Sequence, residues 1–146
     1  MTSEAYLLDT DYVIDFLKGK SYASEIYTQV LSKAEIAMSI ITYAEIYEGI
    51  FYGRDKEQHE ANFLGFTNQI LIYGITPSIA KQYAIIRGNL RSNKATKDLA
   101  EPKKYYDLFI ATTALEYGLT LVTNNVKDYE RIIPYLRLYS PMKEVA

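Results

Sequence analysis

Short, continuously apolar runs alternate along this chain with longer segments of helical period, and that alternation leaves few folds open. Residues 5–8, 35–39, 70–73, 119–123 and 136–139 read as strands. Helical patterns fall between them: 11–18, stopped by Gly19; 22–33, with Ile26, Val30 and Ala34 near one face; 41–52, with Gly53 just past its end; 56–69; and 105–117, closed by Gly118. Thr76-Pro77 opens a further helix, Thr as N-cap and Pro in the first turn, running to about Ser92. Strands that are apolar on both faces need cover on both faces. The pattern therefore predicts an α/β three-layer sandwich with a central, mostly parallel sheet. Nothing repetitive or rich in Pro and Gly divides residues 1–146, so a single domain is expected.

In such sheets the working crevice lies outside the carboxyl ends of the strands. Acidic residues stand at those places. Asp9 ends the first strand, Glu45 lies two turns into the helix after the second, and Asp107 sits in the first turn of its helix. There the helix dipole lowers the cost of keeping Asp107 ionised. Asn125 and Asp128 follow the strand at 119–123. Carboxylates repel one another at close range, and a fold that gathers several from separate elements usually holds a hard cation among them. Clustered carboxylates with a divalent ion most often mean phosphodiester chemistry. Glu48 shares roughly the face of Glu45 and is its competitor for the site.

Other chemistries fare worse. The chain has no cysteine and one histidine, His59, in the polar stretch Lys56-Glu57-Gln58-His59-Glu60. Thiolate nucleophiles, imidazole metal sites and a serine triad all lack their parts. No signal-like opening is present and no apolar run approaches about 18 residues, so a cytoplasmic protein without membrane contact is expected. The formal charge of −2 excludes a globally basic nucleic-acid binder, yet between residues 87 and 104 six basic side chains face only Asp98 and Glu101. Arg87 and Arg91, one helical turn apart in that stretch, are candidates to grip phosphates. A few of the fifteen tyrosines are candidates to stack on bases.

Four segments carry a family resemblance. Leu7-Leu8-Asp9-Thr10-Asp11-Tyr12-Val13-Ile14-Asp15-Phe16-Leu17 resembles the opening motif of PIN-domain ribonucleases, in particular the VapC-type toxins of toxin–antitoxin pairs. Ser39-Ile40-Ile41-Thr42-Tyr43-Ala44-Glu45-Ile46-Tyr47-Glu48-Gly49 resembles the second motif, Asp107-Leu108-Phe109-Ile110-Ala111-Thr112-Thr113-Ala114-Leu115 the third, and Leu121-Val122-Thr123-Asn124-Asn125-Val126-Lys127-Asp128-Tyr129-Glu130-Arg131-Ile132 the fourth. The likeness implies a PIN-like fold and an endoribonuclease using Mg²⁺ or Mn²⁺, held through Asp9, Glu45 and Asp107. The family's fourth acid falls on Asn125, an amide, and Asp128 one turn further on is the candidate replacement. Asp11 stands where the family commonly has Asn and reads as the N-cap of the first helix, with a supporting role at the metal as the alternative. Thr10 and Thr123 are placed on the substrate side, Thr123 also as an orienter of a carboxylate.

The resemblance further implies a homodimer and a small antitoxin partner that carries a basic residue into the acidic crevice. Tyr43, Tyr47, Ile50, Phe51 and Tyr52 give the Glu45 helix more aromatic and apolar surface than one core stripe needs. Two rival readings remain open. Asp9-Thr10-Asp11-Tyr12-Val13 satisfies the opening of haloacid-dehalogenase phosphatases, although residues 124–128 do not supply that fold's late acidic element. The other rival is a PIN-like module that binds RNA or a partner without cleaving.

Overall fold

Residues 4–142 are described in a computed structural model of the chain. The strands β1 (Ala5–Leu8), β2 (Glu35–Ser39), β3 (Leu71–Tyr73), β4 (Thr120–Val122) and β5 (Leu138–Tyr139) form one sheet in the order β3-β2-β1-β4-β5. Every pairing is parallel, so the expectation of a mostly parallel sheet is met in full. Register follows burial. On β1, Leu7 pairs with Ala37 on one side and Leu121 on the other, and all three point into one core. Tyr6, Leu8, Met38 and Val122 point into the opposite core.

The helices α1 (Thr10–Leu17), α2 (Ser21–Gln29), α3 (Ile40–Tyr52) and α4 (Lys56–Thr67) cover that second face, with Tyr12, Val13, Ile26, Ile46 and Phe63 buried against it. The helices α5 (Pro77–Arg91), α6 (Tyr105–Glu116) and α7 (Val126–Ile132) cover the first face through Leu90, Leu108, Ile110, Ala111, Tyr129 and Ile132. Among the described residues no helix is long and apolar enough to cross a membrane.

Local signals set most boundaries. Thr76 caps α5, its hydroxyl accepting from Ile79 N at 3.2 Å with Pro77 in the first turn, as the sequence predicts. Ser39 caps α3 by accepting from Ile41 N at 3.0 Å. Gly19 and Gly118 take φ of +76° and +63°, the left-handed region where other residues are strained, and both end helical segments. Gly53 differs: its backbone is extended, and a Cβ there would lie 3.0 Å from Gly49 O, so close approach rather than handedness demands glycine.

Beyond shifts of one or two residues at element ends, the helices depart from the sequence reading in their first cap, in a break and in one added element. The first helix starts one residue earlier and its N-cap is Asp9, whose side chain accepts from Thr10 N; Asp11 lies in the first turn instead. The segment read as one helix over 22–33 breaks at Val30, where φ is −122°, and finishes as a 3₁₀ turn over Leu31–Lys33 that buries Leu31. The seven-residue α7 has no side-chain cap hydrogen bond and too few turns to register as a periodic pattern.

Candidate active site

Strand order reverses direction between β1 and β4. The chain moves from β1 to β2 and β3 on one side, then returns to place β4 and β5 on the other. That is the topological switch point of an open α/β sheet, where a crevice opens at the strand C-termini. Asp9 follows β1 directly there, its backbone N–H donating to Val122 O at 2.9 Å.

Asp9 is 4 % exposed and tightly held. Its Oδ1 accepts from Thr10 N at 2.9 Å and lies 3.1 Å from the Tyr129 hydroxyl, while Oδ2 accepts from Thr123 Oγ1 at 2.7 Å. Thr123 Oγ1 in turn accepts from Asn125 N at 3.0 Å. The Tyr129 hydroxyl also lies 3.3 Å from Asp107 Oδ1. One phenolic hydrogen thus stands between two carboxylates and can satisfy only one of them. Glu45 reaches the same region from α3 because Thr10 Oγ1 donates to its Oε1 at 2.7 Å, with Thr42 Oγ1 3.0 Å from the same Thr10 oxygen.

The electrostatics are those of a site short of positive charge. Burial, then the neighbouring Asp11 carboxylate and, after the opposing hydrogen bond from Thr123, Asp107, push Asp9 from its ordinary 3.8 up to about 8. Burial also raises Asp11, Glu45 and Asp107. Asp107 and Asp11 add to the rise of Glu45, which Thr10 opposes by hydrogen bonding. The charged neighbours that act most on Asp9 are themselves acidic. Among the described residues Lys104 is the cation that acts on Asp107: it pulls that carboxyl down, but its Nζ lies 2.6 Å from Asp128 Oδ2. That ion pair holds Asp128 below the usual carboxylate range.

The structure thus brings Asp9, Glu45 and Asp107 into one neighbourhood, with Asn125 and Asp128 at its edge. Among the described residues no three such side chains already stand in one ion-binding cage. Magnesium is commonly held by one or two carboxylates with several retained waters, so the donor set suits a hard divalent ion without such a cage. A buried Asp11 oxygen without a hydrogen-bond partner and two carboxylates facing one hydroxyl both fit a missing cation.

Several expected residues behave otherwise. Thr123 is wholly buried behind Asp9 and orients that carboxylate rather than facing substrate, and Thr10, 9 % exposed, does the same for Glu45. Arg87 turns inward: Nε donates to Ala100 O at 3.1 Å, Nη2 to the Tyr105 hydroxyl at 3.1 Å, and the guanidinium covers the Tyr105 ring. It pins the segment after α5, with Nε and Nη2 both engaged inside the protein. Arg91 is exposed one turn further on. His59 is exposed on α4, as its polar neighbours indicate.

Two contributors escaped the sequence reading. Tyr129 looks like an ordinary apolar-face residue of a short helix, and only the packing of α7 shows its hydroxyl between Asp9 and Asp107. Lys104 was one basic residue in a run, although its position three residues before Asp107 places it within one helical turn and was the available signal.

Replacing Thr123 with Val tests the orienting role. Valine fills the same buried space but removes a donor to Asp9 and an acceptor for Asn125 N–H, a cost of about 1–2 kcal/mol. For a residue that orients a ligand, the expected loss of activity is about 10-fold or more. The melting temperature should fall by only a few degrees. Parental activity in Thr123→Val would remove Thr123 from the site.

The comparisons with known proteins agree with this geometry. The PIN domain family model matches residues 6–132. Ribonuclease VapC1 of Haemophilus influenzae (strain R2866) is 30% identical over 128 residues, which are 87% of this chain and 91% of that protein. Ribonuclease VapC2 of Haemophilus influenzae (strain ATCC 51907 / DSM 11121 / KW20 / Rd) is 32% identical over 129 residues, 88% of this chain and 92% of that protein. The crystal structure of VapBC2 from Rickettsia felis, bound to a DNA fragment from their promoter, contains a chain that superposes with a TM-score of 0.78 at 28% identity, covering 92% of this chain and 97% of that one. With Asp9, Glu45 and Asp107 gathered at one switch point, the chain belongs to the PIN-domain family, among the VapC ribonucleases.

Proposed function

We propose that this protein is a divalent-metal-dependent endoribonuclease and the toxin of a VapBC-type pair. The observation that carries the reading is the set of carboxylates, Asp9 buried and Glu45 and Asp107 half-buried, gathered at the sheet's switch point with acidic neighbours acting on Asp9. Family membership supports the same chemistry, because the relatives are named as ribonucleases.

Asp9, Glu45 and Asp107 would hold Mg²⁺ or Mn²⁺ through their oxygens. What such an ion supplies when bound is activation of water and stabilisation of charge on the phosphoryl oxygens. The protein's own part is placement. Thr123 and Tyr129 fix the Asp9 carboxylate, Thr10 fixes Glu45, and the first turn of α6 presents Asp107 where the helix dipole favours negative charge. No side-chain nucleophile is required, which suits a chain without cysteine and with its one histidine out on α4. An RNA substrate would pass over the exposed Arg91, Lys94, Lys97 and Lys103, which offset phosphate charge.

A nuclease assay on total RNA, with EDTA and then with Mg²⁺ or Mn²⁺ restored, tests the reading. Cleavage should vanish in EDTA and return with the ion. RNA that binds but is never cut, at any metal concentration, would favour the non-cleaving module instead. Hydrolysis of a small phosphomonoester without RNA cleavage would favour the phosphatase. The antitoxin partner belongs to the same proposal, supported by the naming of the similar structure as VapBC2; the homodimer is proposed with it from the motif resemblance alone.

A further inference from the structure

Two carboxylates flank the turn at Asn124 and Asn125 after β4, and they are held in opposite ways. Asp128 reaches it from α7. Its Oδ2 takes the Lys104 ammonium at 2.6 Å and lies 3.4 Å from the Asn125 side-chain amide. Asp11 reaches it from the first turn of α1, two residues beyond Asp9. Its Oδ2 accepts the Asn124 backbone N–H at 3.3 Å, and its Oδ1 is buried with no hydrogen-bond partner among the described residues. Buried polar atoms left without a partner are rare in folded proteins, and each asks for an explanation such as a missing ion or water.

We infer that Asp11 supplies the fourth carboxylate of the cation site and that Asp128 serves as the counter-ion of Lys104. This rests on the metal-dependent reading above and specifies its ligand set. Asn125 brings no charge to the site, so three carboxylates plus an amide would leave it with less negative charge than its arrangement allows. Asp128 can add little, because the Lys104 ammonium already pairs with its Oδ2. Asp11 adds a full charge from the same helix start as Asp9. It also has a buried oxygen without a hydrogen-bond partner among the described residues, with the Tyr12 N–H and the Asp9 side chain as its nearby polar groups.

The Lys104–Asp128 pair has a separate purpose that its geometry makes plain. Lys104 precedes α6 directly and Asp128 lies in the first turn of α7, so the pair ties together the starts of two helices that flank the crevice. A cation at a helix N-terminus is opposed by the macrodipole, and α6 has no side-chain cap hydrogen bond. Asp128 offsets that local conflict.

Calorimetric titration of Mn²⁺ alone into the metal-stripped full chain separates the two assignments. The variants are Asp11→Asn and the charge-neutral double variant Lys104→Met/Asp128→Asn. Asp11→Asn should bind Mn²⁺ at least about tenfold more weakly. The double variant should stay within about twofold of the parent, since it removes one charge of each sign beside the site. Thermal unfolding gives a second readout. Without metal, Asp11→Asn should melt no lower than the parent, because a like-charge neighbour of Asp9 is gone, yet its stabilisation by added Mn²⁺ should shrink.

Parental Mn²⁺ affinity in Asp11→Asn overturns the inference, as does a loss in the double variant equal to that in Asp11→Asn. In either case a parent chain that binds Mn²⁺ and cleaves RNA leaves the nuclease reading standing. A parent that binds no Mn²⁺ sinks that reading and takes this inference with it.

Discussion

Asp9→Asn should abolish RNA cleavage and still give a folded protein. The substitution removes a charge while keeping shape and most hydrogen bonds. An amide oxygen in the place of Oδ1 can still accept from Thr10 N and Tyr129, and an amide nitrogen in the place of Oδ2 can donate to Thr123 Oγ1. Lost with the charge is the carboxylate that the site is built around. Changing a residue that merely supports a metal ligand costs about 10–100-fold, so losing the charge of the ligand itself should leave activity at about one-hundredth of parental or lower. Purified Asp9→Asn protein that cuts RNA at the parental rate would end the assignment.

The same variant should be the more stable one when metal is absent, and the sign follows from proton binding. In the unfolded chain Asp9 ionises near 3.8, whereas in the folded protein burial and then Asp11 hold it protonated up to about 8. Between those values the folded state binds the extra proton, so stability is fully present below about pH 4 and declines as pH rises toward 8. Asp11, Glu45 and Asp107 shift in the same direction. In EDTA the parent should therefore melt lower at pH 8 than Asp9→Asn, by several degrees for about 1–2 kcal/mol. The gap should close toward pH 5. Reading the difference between the two proteins cancels Asp98 and Asp128, whose lowered values act in the opposite direction. Adding Mn²⁺ should stabilise the parent and not the variant. A gap that does not change with pH would mean that Asp9 is no harder to ionise in the folded protein than in the unfolded one.

What was legible in the chain, and what was not, divides by the range of the interactions involved. Buried parallel strands announce themselves because both faces are apolar, so β1 and β2 stand at their expected bounds and the others within two residues. Asp9, Glu45 and Asp107 could be picked out because a carboxylate at the edge of an apolar element has few structural excuses. For Asp11 the difference is two positions: Asp9 and Asp11 are both acceptable N-caps, and only the observed φ and ψ of Asp9 decide between them. Tyr129 lies 120 positions from the carboxylate it touches, and nothing local distinguishes its hydroxyl from those of the other tyrosines. Arg87 fails for a related reason. A basic side chain in a basic run reads as solvent-facing until the 3₁₀ turn at Lys97–Ala100 presents it with the Ala100 carbonyl.

Expressed alone, the chain should arrest growth, and a small basic-tailed protein from the adjacent gene should relieve that arrest by binding to it. Part of the aromatic surface on α3 is already used within the fold. Tyr43 and Tyr47 pack against Phe63 of α4 at 5.2 and 5.5 Å between ring centroids, and Ile50 is buried. That much belongs to the internal packing of a monomer. The remainder lies at the surface: Phe51, stacked on Tyr47 at 5.5 Å, is still 53 % exposed, Tyr52 88 %, and Ile40 and Leu64 39 % each. Aromatic residues clustered in this way favour a protein interface over open solvent. The neighbouring crevice holds carboxylates that burial and mutual repulsion make costly to ionise, so an arginine or lysine brought in by a partner would gain charge-assisted hydrogen bonds there and compete with the metal. Light scattering should give the isolated chain twice its monomer mass, and a still larger complex when the partner is co-expressed. Phe51→Glu combined with Tyr52→Glu should disrupt at least one of these associations while leaving metal-dependent cleavage intact, because neither residue touches the carboxylates. A monomer that binds no such partner, and whose expression leaves growth untouched, would refute the toxin assignment while leaving the nuclease chemistry to be judged by its response to EDTA.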